Sequence, residues 1–171
     1  MKKNRYQQTS MLLIIVAILL FGISIFIFMN KDDGKKDYAP IDADPGVIKI
    51  DDGGKKSSSS GSKVSLKYKN KVVVDTKEKK LELFYENTSN SNQNVVLEIM
   101  ASNPDDQDTE FMISKSGFIP VGYGIYELSL LDAIELNMKE YSGRMVVKYY
   151  DEKTGEIASV DTNIPILIEV E

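Results

Sequence analysis

Hydrophobic residues follow two patterns along this chain, one continuous and one alternating, and the change from one to the other divides it. Residues 11–29 read MLLIIVAILLFGISIFIFM, with no charge. At about 1.5 Å of rise per residue, a helix of this length covers about 28 Å, close to the roughly 30 Å hydrocarbon core of a bilayer, so the run predicts a transmembrane helix. A cleavable signal peptide would need a shorter apolar stretch and small residues at the cut, which Phe26 to Asn30 do not supply. From Lys63 onward the period becomes two. Val64, Leu66 and Tyr68 alternate with polar residues, as do Leu81, Leu83 and Tyr85, and then Val95, Leu97 and Ile99. The pattern recurs at Phe111 and Ile113, at Tyr126, Leu128 and Leu130, at Met145, Val147 and Tyr149, and from Ile164 to Val170. Such alternation predicts half-buried strands.

Turn-forming stretches separate these strands: NTSNSNQN at 87–94, SNPDDQD at 102–108 and DEKTG at 151–155. Gly155 suits the left-handed position of a hairpin loop. The stretch LDAIELNMKEY at 131–141 fits neither period cleanly and is expected to be an irregular crossover. Seven or eight short strands in residues 63–171, without an amphipathic helix, predict an all-β fold, an immunoglobulin-like antiparallel β-sandwich. A domain of this size can bury a core without disulfides.

Between span and sandwich, residues 30–62 are rich in Asp, Lys, Gly and Ser, with Pro40 and Pro45, and read as a disordered linker reaching roughly 30 Å. The island Val47, Ile48, Ile50 has strand character but is read as part of it. The expected organisation is a cytoplasmic tail at 1–10, a transmembrane helix at 11–29, a linker at 30–62 and an extracytoplasmic domain at 63–171. Lys2, Lys3 and Arg5 precede the span and Lys31, Lys35 and Lys36 follow it, so charge alone nearly balances. A short basic tail before an anchor places the N-terminus in the cytoplasm, giving a single-pass cell-membrane protein with its domain outside.

Composition then narrows the chemistry. The chain has no cysteine and no histidine, which removes disulfides, thiolate metal sites, Ser-His-Asp and Cys-His arrangements, and zinc helices. The spacing of Ser60 and Lys63 matches a Ser-Lys dyad but lies in the serine-rich linker. No enzyme activity, cofactor or small-molecule substrate is expected. The net charge of −5 divides into +3 over residues 1–10, −1 over 30–62 and −7 over 63–171. An acidic outer domain argues against nucleic acid as a partner.

Four local features carry alternative readings. Lys63 to Lys80 holds seven lysines, expected as an edge strand guarded against pairing or as a contact for anionic envelope polymer or lipid headgroups, the polymer contact running through Lys67, Lys69 and Lys71, with Tyr150 as an exposed aromatic. Tyr149, by alternation, faces the core. Asp105, Asp106, Asp108 and Glu110 form a solvated acidic turn or a weak calcium site. The apolar loop SGFIPVGYGI at 116–125 either packs over one end of the sandwich or offers Phe118, Ile119 and Tyr123 to a protein partner. Asn87-Thr88-Ser89 matches a glycosylation sequon and is read as a chance match.

The runs FYENTSNSNQNVVLEI (84–99) and SGFIPVGYGIYELSL (116–130), with the closing GRMVVKYYDEKTGE and IPILIEV, resemble a group of small single-pass surface proteins of low-GC Gram-positive bacteria. The resemblance spans about Leu66 to Val170 and implies a β-sandwich in the cell envelope, with no activity and no catalytic residues carried over. The resulting expectation is a membrane-anchored interaction module acting on another envelope protein, with a binding module for envelope glycan or anionic polymer as the alternative.

Overall fold

The structure is a computed structural model that describes residues 37–51, 64–103 and 109–171. The expected tail, the transmembrane run and residues 30–36 and 52–62 of the linker, Ser60 among them, lie outside the described residues, as does Lys63. Among the described residues no helix is long and apolar enough to cross a membrane, and every regular element is a strand. These are β1 (Ile48–Lys49), β2 (Leu66–Tyr68), β3 (Lys71–Asp75), β4 (Lys80–Asn87), β5 (Gln93–Ser102), β6 (Glu110–Lys115), β7 (Tyr123–Ser129), β8 (Glu140–Asp151) and β9 (Thr162–Val170).

Hydrogen bonds join them into one curled sheet in the order β1-β7-β4-β3-β9-β8-β5-β6, with β2 added beside β4. The expected all-β fold is present. Every pairing between named strands is antiparallel except β3 with β9, which is parallel from Lys71↔Leu167 to Val74↔Val170. β5 and β8 form the longest ladder, from Gln93↔Asp151 to Ala101↔Gly143. The alternation read along β4, β5, β8 and β9 places Leu81, Leu83, Tyr85, Leu97, Ile99, Met145, Val147, Tyr149, Ile166 and Ile168 in one core, with Ile125 and Leu128 of β7. Each such side chain contributes roughly 1.5 to 3 kcal/mol on burial.

Two expectations change and a third holds. The lysine-rich run is not a single edge strand, because its second half is β3, which lies between β4 and β9 with Val72 and Val74 fully buried. A run of three valines bounded by Lys71 and Asp75 carries little alternation of its own, which is why the period did not single it out. Residues 37–51, read as linker, belong to the fold. Asp37 accepts from the Ile157 amide and Tyr38 bridges Glu156, Asp44 donates its amide to the Phe118 carbonyl, Ile48 and Lys49 pair with Gly124 and Tyr123, and the Ile50 amide reaches the Gly122 carbonyl. This strap crosses the end of the sheet where β4 finishes and β5 and β7 begin. Finally, the stretch before Tyr141 is the irregular crossover expected, with the Tyr141 hydroxyl accepting from the Asn137 and Met138 amides.

Two turns are built alike. At 151–155 the Asp151 carboxylate accepts from the Lys153 and Thr154 amides and Gly155 takes φ +69°, as its sequence predicts. At 75–80 Asp75 accepts from Lys77 and Glu78, and Lys79 takes the left-handed position at φ 53°. These backbone donors hold both aspartates below the usual carboxylate range.

Candidate interaction surfaces

The apolar loop at 116–125 is held from two sides. Ile119 exchanges backbone hydrogen bonds with Val95 of β5, and the Ser116 hydroxyl accepts from the Leu97 amide. On the other side the Asp44 carboxylate accepts from the Gly117 amide at 2.8 Å and from the Gly46 amide at 2.9 Å. A Cβ on Gly117 would stand 2.7 Å from the Asp44 nitrogen, so strap and loop meet backbone to backbone. Ile119 is fully buried, which corrects its reading as a protein contact. Phe118 and Tyr123 are half-buried, and Tyr123 packs against the core. The loop is apolar because it is covered, and its cover is a segment more than seventy residues earlier.

Asn87 supports the same loop from beneath. Its side-chain amide, fully buried, donates to the carbonyls of Gln93 and Ile119. Burial also rules it out as a glycan acceptor. Tyr150, expected to be exposed, is 2% exposed, and its hydroxyl is pushed up to about 12, chiefly by burial and then by the nearby charges of Asp37, Glu98 and Asp161. The physical reason is the strap, since Asp37 and Tyr38 pair with Glu156 and Ile157 and Ile157 bridges Tyr150. Tyr149 is buried in the core as expected, its hydroxyl 2.7 Å from that of Thr162.

The lysines of the basic run are mostly spoken for. Lys67 pairs with Glu86, Lys71 with Glu169, Lys79 with Asp132 and Lys80 with Glu127. Such exposed pairs add about 0 to 1 kcal/mol each to stability, but they cancel local charge. Lys69 instead lies over the Phe84 ring at 5.5 Å, and Tyr126 packs against the same ring with centroids 5.6 Å apart and planes tilted by 50°. Beside it a cleft of 490 Å³ opens between Tyr68, Lys69, Asn70, Ile164 and Pro165, where β2 stays with β4 and β3 has not yet met β9. The amides of Leu167 and Glu171 face β3, so alternation puts the ring nitrogen of Pro165 toward this opening. The edge lacks a donor there, which discourages strand addition.

Of the acidic turn, Asp105, Asp106 and Asp108 lie outside the described residues. Glu110 begins β6 and receives Arg144 through both carboxylate oxygens, at 2.9 and 2.7 Å from Nε. That guanidinium lowers the Glu110 carboxyl against a small opposing effect of burial. On the same face Glu98, 13% exposed at its side chain, pairs with Lys115 at 2.9 Å and Lys148 at 3.0 Å. Burial opposes its ionisation, but the two ammonium groups outweigh it and the carboxyl titrates below its usual range.

A surface that the sequence reading did not single out lies at the opposite end of the strands. A cleft of 310 Å³ is lined by Thr76, Lys79, Leu130, Leu131, Ile134, Glu135, Leu136 and Asn137. Leu131 is 37% exposed, and Met138, in the same crossover, 44%. The irregular period of 131–141 is the signal that marked it, since apolar residues there follow neither a strand nor a helix. Among the described residues no group of three or more acidic side chains is placed to hold a metal ion. No protein-family model matches the chain, and no curated protein matches it.

Proposed function

We propose that this chain is a membrane-anchored interaction module: an N-terminal span with its N-terminus in the cytoplasm, and an extracytoplasmic immunoglobulin-like β-sandwich that acts through protein contacts in the cell envelope. The span rests on the uncharged run at 11–29. The sandwich reading rests on the pairing order, which groups β4 and β7 on one side of the β3–β9 junction and β9, β8 and β5 on the other, as the B–E and C–F–G strands group in that fold. The envelope location rests on the resemblance to Gram-positive surface proteins.

One observation carries the choice of protein contact. Leu131 and Met138 are exposed in the crossover that lines a cleft with Thr76, Leu130 and Leu136, and apolar side chains beside a cleft suit a protein surface. The polymer alternative is less favoured because Lys67 and Lys71 are ion-paired and Tyr150 is buried, leaving Lys69 alone.

Protease shaving of intact cells tests the topology, with release of peptides from 64–171 expected before lysis. Domain peptides appearing only from broken cells sink it. A photo-crosslinking residue in place of Met138 should then capture a protein, whereas the same residue in place of Val73, on the outer face of β3, should not. Equal capture at both sites would count against the far end as the interface.

A further inference from the structure

The most exposed large apolar side chains of this domain fall together in the sequence of its connections. Among the described residues Ile41 (97%), Val160 (71%), Ile48 (56%) and Tyr38 (54%) exceed half exposure, and all four lie on the strap or on the β8–β9 connection with which it pairs, whereas Tyr68, Leu131, Met138 and Leu167, elsewhere, are less exposed. Nothing in the core explains Ile41, which sits between the pairing of Tyr38 with Glu156 and that of Ala43 with Phe118. The strap also shortens the tether. The apolar run ends at Met29 and the fold begins at Asp37, eight residue steps later, which even fully extended reach at most about 28 Å.

We infer that this end of the domain rests on the lipid surface, with Tyr38, Ile41, Ile48 and Val160 inserted at the headgroup level. The inference depends on the membrane-anchor reading and adds a second contact to it. Tyrosine favours the membrane–water interface, and a few aliphatic side chains seated about 5 to 10 Å into the headgroup boundary bind weakly on their own. Weak binding suffices here, because a short tether supplies a high local concentration of lipid. Charge sets the lipid preference. Asp42 adjoins Ile41 and Asp51 lies near Ile48, against Lys49 alone on the strap, so zwitterionic lipid is favoured over anionic lipid at low salt. Docking in this manner directs the cleft of Thr76, Leu131 and Leu136 away from the membrane.

The absence of native cysteine makes the test direct. Full-length chain carrying Ile41→Cys, Val160→Cys, Leu131→Cys or Met138→Cys is labelled with an environment-sensitive fluorophore and reconstituted into phosphatidylcholine vesicles containing spin-labelled lipid. Quenching at positions 41 and 160 is expected to exceed that at 131 and 138 at least threefold, and adding anionic lipid at low salt should lower it. In a chain labelled through Ile48→Cys, the double change Ile41→Asp and Val160→Asp should reduce quenching to the level of the far end. Equal quenching at all four positions, in chain that floats with the vesicles, overturns docking while leaving the anchor intact. Failure of the chain to float overturns the anchor and docking together. Quenching that requires native membrane extract rather than lipid alone overturns the lipid as occupant in favour of a membrane protein.

Discussion

The two connections that flank β7 are both apolar, yet they end in different states. The loop at 116–125 is clamped between β5 and the strap, with Ile119 fully buried and the Gly117 amide held by Asp44. The crossover at 131–139 is tied by the Leu131 amide to the Ile113 carbonyl and by the Tyr141 hydroxyl, and it leaves Leu131 and Met138 exposed beside a cleft. Apolar composition alone does not separate a covered loop from an available surface. What separates them is whether another part of the chain returns to cover the loop, and here the covering part is a polar, proline-containing stretch that composition assigns to a linker.

Ile119→Ala should break the difference most sharply. Removing a fully buried branched side chain is expected to cost about 2 to 5 kcal/mol, read as a lower denaturation midpoint, whereas Leu131→Ala should fall within about 1 kcal/mol of the parent. Similar losses at the two positions would mean that the crossover is as much a part of the core as the loop. Asp44→Ala comes next. It removes the acceptor for two backbone amides and should cost about 1 to 2 kcal/mol, with hydrogen exchange accelerating at Gly46 and Gly117 and not at Asn137 or Met138. Unchanged exchange at Gly117 would show that the strap does not hold the loop.

The pH dependence sharpens the contrast between the polar outer face and both loops. Glu98 has a folded pKa below its ordinary value of 4.5, despite the burial that opposes ionisation, because Lys115 and Lys148 hydrogen-bond its charged form. Its contribution is therefore complete above about pH 4.5 and is lost as the pH falls through the lower folded value. Glu98→Gln should flatten the acid limb of the stability profile and lower the midpoint at neutral pH; an unaltered acid limb would assign acid sensitivity to other carboxylates. The smallest effect on stability is expected from Leu131→Ser, within about 0.5 kcal/mol for an exposed position, together with loss of the partner captured by the crosslinking residue at 138. Retained capture would move the interface elsewhere.

Local rules read much of this molecule. Period-two alternation located β4, β5, β8 and β9 and the inward side of each, because half-buried strands impose that period whatever they pair with. Gly155 was legible for the same reason, since a left-handed turn position selects glycine locally. β3 was not, because Val72, Val73 and Val74 give no alternation to read, although Val72 and Val74 face the core and Val73 does not. Alternation marks Tyr150 as outward, and it does stand outside the main core, yet it is buried beside Ile157, which in turn pairs with the strap.

What the sequence determined by itself is therefore most of the strands but not β1 or β3, the sidedness of those it located, the exclusion of thiol and imidazole chemistry, and the expectation of a span at 11–29. Only the tertiary structure decided which strands meet in parallel, which lysines keep a free charge, and which apolar loop is covered. The physical reason is range. Strand sidedness and turn conformation depend on neighbours a few residues apart, whereas the Asp44 clamp on Gly117, the Lys71–Glu169 pair and the burial of Ile119 join residues that are distant in sequence and are set by how the sheet curls.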